Sequence, residues 1–107
     1  MRRVRLHPLV YDDIDEALAY TRERFGPRQV PVYERLIVEA RLTLRRHPTI
    51  GQVRDELGPS VRVFCIAQRR IRAPHGYIYR VQEDGMVYIG RLVHLARYLP
   101  DLVPEDF

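Results

Sequence analysis

The stretch from Gly76 to His94 reads GYIYRVQEDGMVYIGRLVH. Its first part alternates Ile78 and Arg80 against Tyr77, Tyr79 and Val81, a period of two that belongs to a β-strand. Glu83-Asp84-Gly85 supplies hairpin-turn chemistry, and MVYIGRLVH returns as a last strand that ends near His94. Upstream, VRVFCIA repeats the alternation, setting Val61, Val63 and Cys65 against Arg62, Phe64 and Ile66. Three strands are therefore predicted in the second half. Between the first two of them lies QRRIRAP, an arginine-rich loop or strand end that Pro74 interrupts.

The first half keeps a different period. Val10, Ile14, Ala17, Leu18, Thr21 and Phe25 recur at three- and four-residue steps, one apolar stripe on a helix of about four turns. Pro8 suits its first turn, and Asp12, Asp13, Asp15 and Glu16 suit the positive end of its dipole as solvated acids. Gly26-Pro27 ends it. A second helix starts near Arg28, tolerates Pro31 in its first turn, and shows Tyr33, Leu36, Ile37, Ala40 and Leu44 as its stripe before His47-Pro48 closes it. The short break predicts a helical hairpin. VRLHP before the first helix reads as an opening strand, and PTIGQVRDELGPS, residues 48–60, as a loop. The order β-α-α-β-β-β predicts an α+β domain over residues 1–107, with a mostly antiparallel sheet packed on the two-helix hairpin.

A chain of 107 residues is one domain's worth, and its 46% apolar and 30% charged residues are those of a globular protein. No apolar run approaches the roughly 20 residues that cross a bilayer. The start, MRRVRLHP, lacks the long apolar segment of a signal peptide, so a cytoplasmic location and no membrane partner are expected. One cysteine, Cys65, forms no internal disulfide, and no Cys or His spacing of the zinc type occurs; neither metal nor cofactor is expected. P-loop, GxGxxG and GxSxG motifs are absent.

The net charge is +4, and all 18 basic residues are arginine. Arginine favours planar contacts with phosphate or carboxylate and stays protonated, so acid–base chemistry would fall to His, Tyr or a carboxylate. Residues 1–26 are neutral in sum, 27–60 carry +2, 61–100 carry +5 and 101–107 carry −3. The basic segment suits nucleic acid or an acidic protein. Arg62, Arg80 and Arg91 fall one on each C-terminal strand, a stripe across the sheet if the strands are neighbours, with Tyr77, Tyr79 and Tyr88 interleaved. Arginine beside aromatic rings serves RNA and protein interfaces alike.

His7 and His47 precede prolines at element boundaries, as capping or surface residues. His75 opens a strand, and His94 ends the last one in a run, YIGRLVHLARYLPDL, that also carries Arg91 and Arg97. Strand parity sets Arg91 with Ile89 and Val93, and His94 with Tyr88 and Leu92, so the two share a face only if the strand bulges or ends between them. Pro100 stops any helix through the end, which leaves Arg97 and Tyr98 on an outward tail.

These features together resemble the RelE/ParE superfamily of bacterial toxins from type II toxin–antitoxin systems, closer to the ParE branch. The resemblance rests on VRLHPLVYDDIDEALAYTRERFG, HPTIGQVRDELGPSVRVF, GYIYRV and VYIGRLVHLARYLP. It implies a cytoplasmic toxin that a cognate antitoxin neutralises and whose target is DNA gyrase. The alternative it implies is a RelE-like endoribonuclease acting on messenger RNA in the ribosome. In that case Arg62, Arg80, Arg91, His94 and Tyr98 would be catalytic. In the ParE reading Arg91, His94, Arg97 and Tyr98 dock the target, and Ile14, Leu18, Tyr33, Ile37 and Arg80 bind the antitoxin. Absence of lysine and the inserted QRRIRAP depart from the family pattern.

Overall fold

The computed structural model describes residues 3–68 and 71–107. Strand β1 spans Val4–Leu6, helix α1 Leu9–Phe25, helix α2 Val30–Arg46, and strands β2 to β5 Gln52–Val53, Arg62–Gln68, Ile71–Val81 and Val87–His94. Short 3-10 turns cover Pro27–Gln29, Asp55–Leu57 and Leu99–Leu102. The sheet order is β1-β5-β4-β3-β2; β1 lies parallel to β5 and the other pairs are antiparallel. The α+β class, the hairpin of helices and the three long C-terminal strands are as predicted.

Helix α1 begins without a Ser, Thr, Asp or Asn cap. Its orphan Leu9 N–H is satisfied instead by His7 Nδ1 at 3.1 Å. At the other end Gly26 adopts φ 89°, and its N–H bonds Arg22 O. The following 3-10 turn leads straight into α2, with Pro31 in the first turn of that helix.

The helices pack on one face of the sheet. Val10, Ala17, Leu36, Ile37 and Leu44 meet Tyr77, Tyr79, Ile89 and Leu92 in the larger core. Each fully buried aliphatic chain there contributes about 1.5–3 kcal/mol. Two tyrosine hydroxyls cross this core to backbone carbonyls: Tyr77 donates to Ile37 O at 2.9 Å and Tyr79 to Pro48 O at 2.7 Å. Burial raises both phenols, that of Tyr77 well above the usual tyrosine range. Tyr79 also accepts from Gly51 N, and Arg62 donates to Thr49 O and Gly51 O. These bonds pin residues 49–51 so that Gln52–Val53 falls beside β3. The segment expected to be only loop thereby contributes a fifth strand, built by side chains reaching from β3 and β4 rather than by local propensity.

The opposite face is covered too. Leu57, Val61, Ile78, Val93 and Leu99 form a second core, closed by Leu95, Leu102, Val103 and Phe107. The expected outward tail is therefore corrected: the chain after His94 folds back over the sheet, because the exposed alternative would leave the Ile78 face in water. Phe25, expected in the apolar stripe, is 61% exposed. The expected loop QRRIRAP falls partly within a strand. Strand β4 already runs from Ile71 through Pro74, where the pairing with β3 is irregular between Cys65 and Ala67; Arg69 and Arg70 lie outside the described residues.

Candidate functional site

The end of β5 gathers most of the residues singled out from the sequence, but on two faces. Between β4 and β5 the register places Tyr79 opposite Ile89 and Ile78 opposite Arg91, so Gly90 is an extra residue on β5. This β-bulge resets parity one position before Arg91. Leu92 thereby joins Ile89 in the helix-facing core, while Tyr88 and Val93 lie on the other side. The predicted mates of Arg91 and His94 are corrected accordingly: His94 keeps Leu92 but not Tyr88, and Arg91 keeps Val93 but not Ile89.

Beyond Leu6, β1 no longer covers β5, and Asp13 of α1 takes its place. Its carboxylate accepts from Arg91 Nε and Nη2, both at 2.8 Å, and from the backbone N–H of Leu92 at 3.0 Å. Arg91 Nη1 also donates to Leu102 O. The hydrogen bond it donates to Asp13 holds the guanidinium more firmly charged than usual, against the cost of its burial. Asp13 is 6% exposed, which corrects its reading as a solvated helix-start acid. The signal was present: Val10, Asp13, Ala17 and Thr21 are the buried positions of α1, so the acid sits within the stripe that faces the sheet.

On the helix side, His94 pairs across the strands with His75, their rings 5.3 Å apart. Tyr20 sets its ring edge-on to both, at 5.6 and 5.4 Å. The Tyr33 hydroxyl shares a hydrogen bond with His75 Nδ1. Burial, reinforced by the neighbouring His94, pushes His75 down to about 4, so it is neutral at physiological pH. Burial raises the Tyr33 phenol well above its ordinary value. His94 Nδ1 accepts from Ala96 N and terminates the strand. His75 was read from the sequence only as a strand opener; its partnership with Tyr33 and Tyr20 depends on residues some forty and more positions away.

Arg91, His94 and Arg97 line one cavity of about 170 Å³ with Asp13, Tyr20 and His75; the other predicted residues do not join them. Arg62 shares the face of Tyr79, towards the helices. Arg80 pairs with Tyr88 on the opposite face, where its guanidinium lies 4.6 Å from the Phe107 ring centre. The expected basic stripe is thus broken by register. The interleaved tyrosines are core residues, with Tyr77 and Tyr79 fully buried and Tyr88 nearly so. Tyr33 and Ile37 lie in the core, and Ile14 and Leu18 are partly buried against it. Arg97 and Tyr98 do face solvent, Tyr98 being 70% exposed, beside an open groove of about 570 Å³ that also meets Arg54, Leu95 and Pro100. His7 caps α1 but is no surface residue: its Nε2 donates to Asp106 at 2.8 Å. His47 is exposed, as expected. Among the described residues no group of three or more His, Cys, Asp or Glu is arranged to hold a metal ion. No described helix is long and apolar enough to cross a membrane.

Residues 4–98 match the family model described as the ParE toxin of the type II toxin-antitoxin system, parDE. The chain belongs to the ParE toxin family. A solved structure from the chromosomal ParDE system of P. aeruginosa has the same fold, with a TM-score of 0.69 at 21% identity, covering 89% of this chain and 97% of that one. No curated protein matches. The matched span ends at Tyr98, and Leu99–Phe107, which close the second face, lie beyond it.

Proposed function

We propose that this ParE-family chain is the toxin half of a type II toxin–antitoxin pair. A cognate antitoxin neutralises it, and it arrests growth in the cytoplasm by trapping DNA gyrase. The family match carries the toxin assignment. For docking over RNA cleavage the supporting observation is that Arg62, Arg80 and Tyr98 do not join Arg91 and His94 at the cavity those two share. Arg62 and His94 lie towards the helices, whereas Arg80 and Tyr98 lie on the other side, and Arg91 is held by Asp13. General acid–base cleavage needs its groups within hydrogen-bond reach of one scissile phosphate. Arg97 and Tyr98, of the residue types that anchor protein interfaces, stand exposed at the rim of the 570 Å³ groove and are the expected gyrase contacts.

The test is a supercoiling assay with purified protein. Inhibition of gyrase that Tyr98→Ala with Arg97→Ala abolishes is expected. No inhibition at a several-fold molar excess, together with message cuts at the A-site codon after brief induction, would establish the RNase reading instead. Co-purification with the product of an adjoining short acidic-tailed reading frame tests the antitoxin.

A further inference from the structure

The cavity of about 170 Å³ beside the end of β5 is bounded by α1, β4, β5 and the turn after β5. One wall is Asp13 with Arg91, and both are spent, on each other, on Leu92 N and on Leu102 O. Two further walls are the imidazoles of His75 and His94, paired across β4 and β5. His94 Nδ1 accepts from Ala96 N, so the ring proton is on Nε2. The Tyr33 phenol, kept protonated by burial, has no other acceptor among the described residues and gives its proton to His75 Nδ1. The His75 ring proton is therefore on Nε2 as well. Neither Nε2 has a hydrogen-bond partner among the described residues, and the same is true of the Tyr20 hydroxyl between them. Arg97 enters from the turn after β5 and forms no ion pair among the described residues.

Unspent donors and one unpaired cation call for an acceptor. Two imidazole N–H groups, a phenol and a guanidinium come from three elements and a turn. They surround a ligand, which suits a tetrahedral group with oxygens on several sides better than a flat carboxylate. Size sets the limit. Water occupies about 30 Å³ per molecule in the liquid, so 170 Å³ holds about five waters. That is room for one phosphoryl group and not for a nucleoside behind it. Glu16 also lines the cavity, as an exposed carboxylate that opposes an anion. We propose that this cavity binds inorganic phosphate, or the terminal phosphate of a small phosphomonoester, on His75 Nε2, His94 Nε2, Tyr20 and Arg97. The site meets the 570 Å³ docking groove only at Arg97, and it does not rest on the gyrase reading.

The test follows the histidine ring nitrogens of the whole ¹⁵N-labelled protein by NMR at neutral pH, while phosphate replaces chloride at constant ionic strength. Before addition, His75 and His94 should both show the Nε2–H tautomer. On addition, both Nε2 signals and the Arg97 Nε signal should shift together and saturate with a Kd of about 1 mM or tighter. Glycerol phosphate separates the two sources: binding tighter than that of the free ion assigns the site to a phosphomonoester, and equal or weaker binding to the ion itself. Arg97→Gln, on an exposed side chain, should weaken binding about tenfold by removing the ionised donor. Glu16→Gln should strengthen it. Arg46→Gln, the same loss of charge at the exposed end of α2, should leave it unchanged, and all three variants should keep the thermal midpoint. The inference is overturned if the ring nitrogens do not move up to about 10 mM phosphate, a level that detects even weak association, or if either ring carries its proton on Nδ1. Equal shifts with acetate overturn it too, as does an Arg46→Gln loss as large as that of Arg97→Gln, or an oligonucleotide without terminal phosphates that occupies the cavity more tightly than phosphate. Phosphate binding is read without gyrase, so this site and the docking reading stand or fall separately.

Discussion

Asp13 carries three hydrogen bonds on one carboxylate, two from Arg91 and one from the backbone of β5. Removing one partner of a buried pair strands the other, at a cost of about 3–5 kcal/mol. Asp13→Ala should therefore lower the unfolding free energy by about 3 kcal/mol in urea titrations, and Asp13→Asn, which keeps an acceptor for Leu92 N, by less. Equal losses in both would mean that the Arg91 pair contributes nothing. His75 gives a pH dependence with a definite sign. Its folded value, about 4, lies below the ordinary 6.5, so between these values the unfolded chain binds more protons than the native one. Stability is thus fully present above pH 6.5 and is lost as pH falls towards 4. His75→Gln, which can still bond Tyr33, should flatten that part of a plot of urea midpoint against pH. An unchanged slope would assign the acid sensitivity to other groups.

At the scale of elements, the bulge at Gly90 and the closing segment fit each other. A Cβ on Gly90 would stand 2.9 Å from the Phe107 ring, inside van der Waals contact. Gly90→Ala should cost about 1–3 kcal/mol as overpacking does, and much less in a Phe107→Ala background. A double-mutant cycle reads that coupling, and strict additivity would separate the two residues. The strands, helices and class were legible because each repeats its period over several residues. Strand β2 was not, since two residues carry no period and Tyr79 and Arg62 hold it in place. Glycine inside the alternating run was the one local sign of the bulge, and without it the faces of Arg91 and His94 could be separated but their neighbours misassigned. The candidate site was legible as a list of residue types at the end of the last strand. Which of them are spent on Asp13, Thr49 or Phe107, and which face solvent, depends on partners distant in sequence.

For the molecule as a whole, one sheet is shared by two cores. The family span ends at Tyr98, yet Leu99, Leu102, Val103 and Phe107 lie beyond it and cover Ile78 and Val93. A chain cut after Tyr98 should therefore expose the second core, bind a dye that senses apolar surface, and lose near-ultraviolet circular dichroism. A native spectrum from that fragment would show the closing segment to be dispensable. The net charge of +4 acts at this scale as well, drawing acidic partners from a distance that shrinks with salt.

The parallel pairing of β1 with β5 joins residues 4–6 to residues 87–89, and it has a consequence for the order of events in synthesis. Strand β1 has no neighbour until β5 follows it from the ribosome, and such distant contacts form late. The sheet cannot close on the nascent chain before β5 has emerged. A partner that recognises the closed sheet therefore meets this chain only after Val87–Ile89 has emerged.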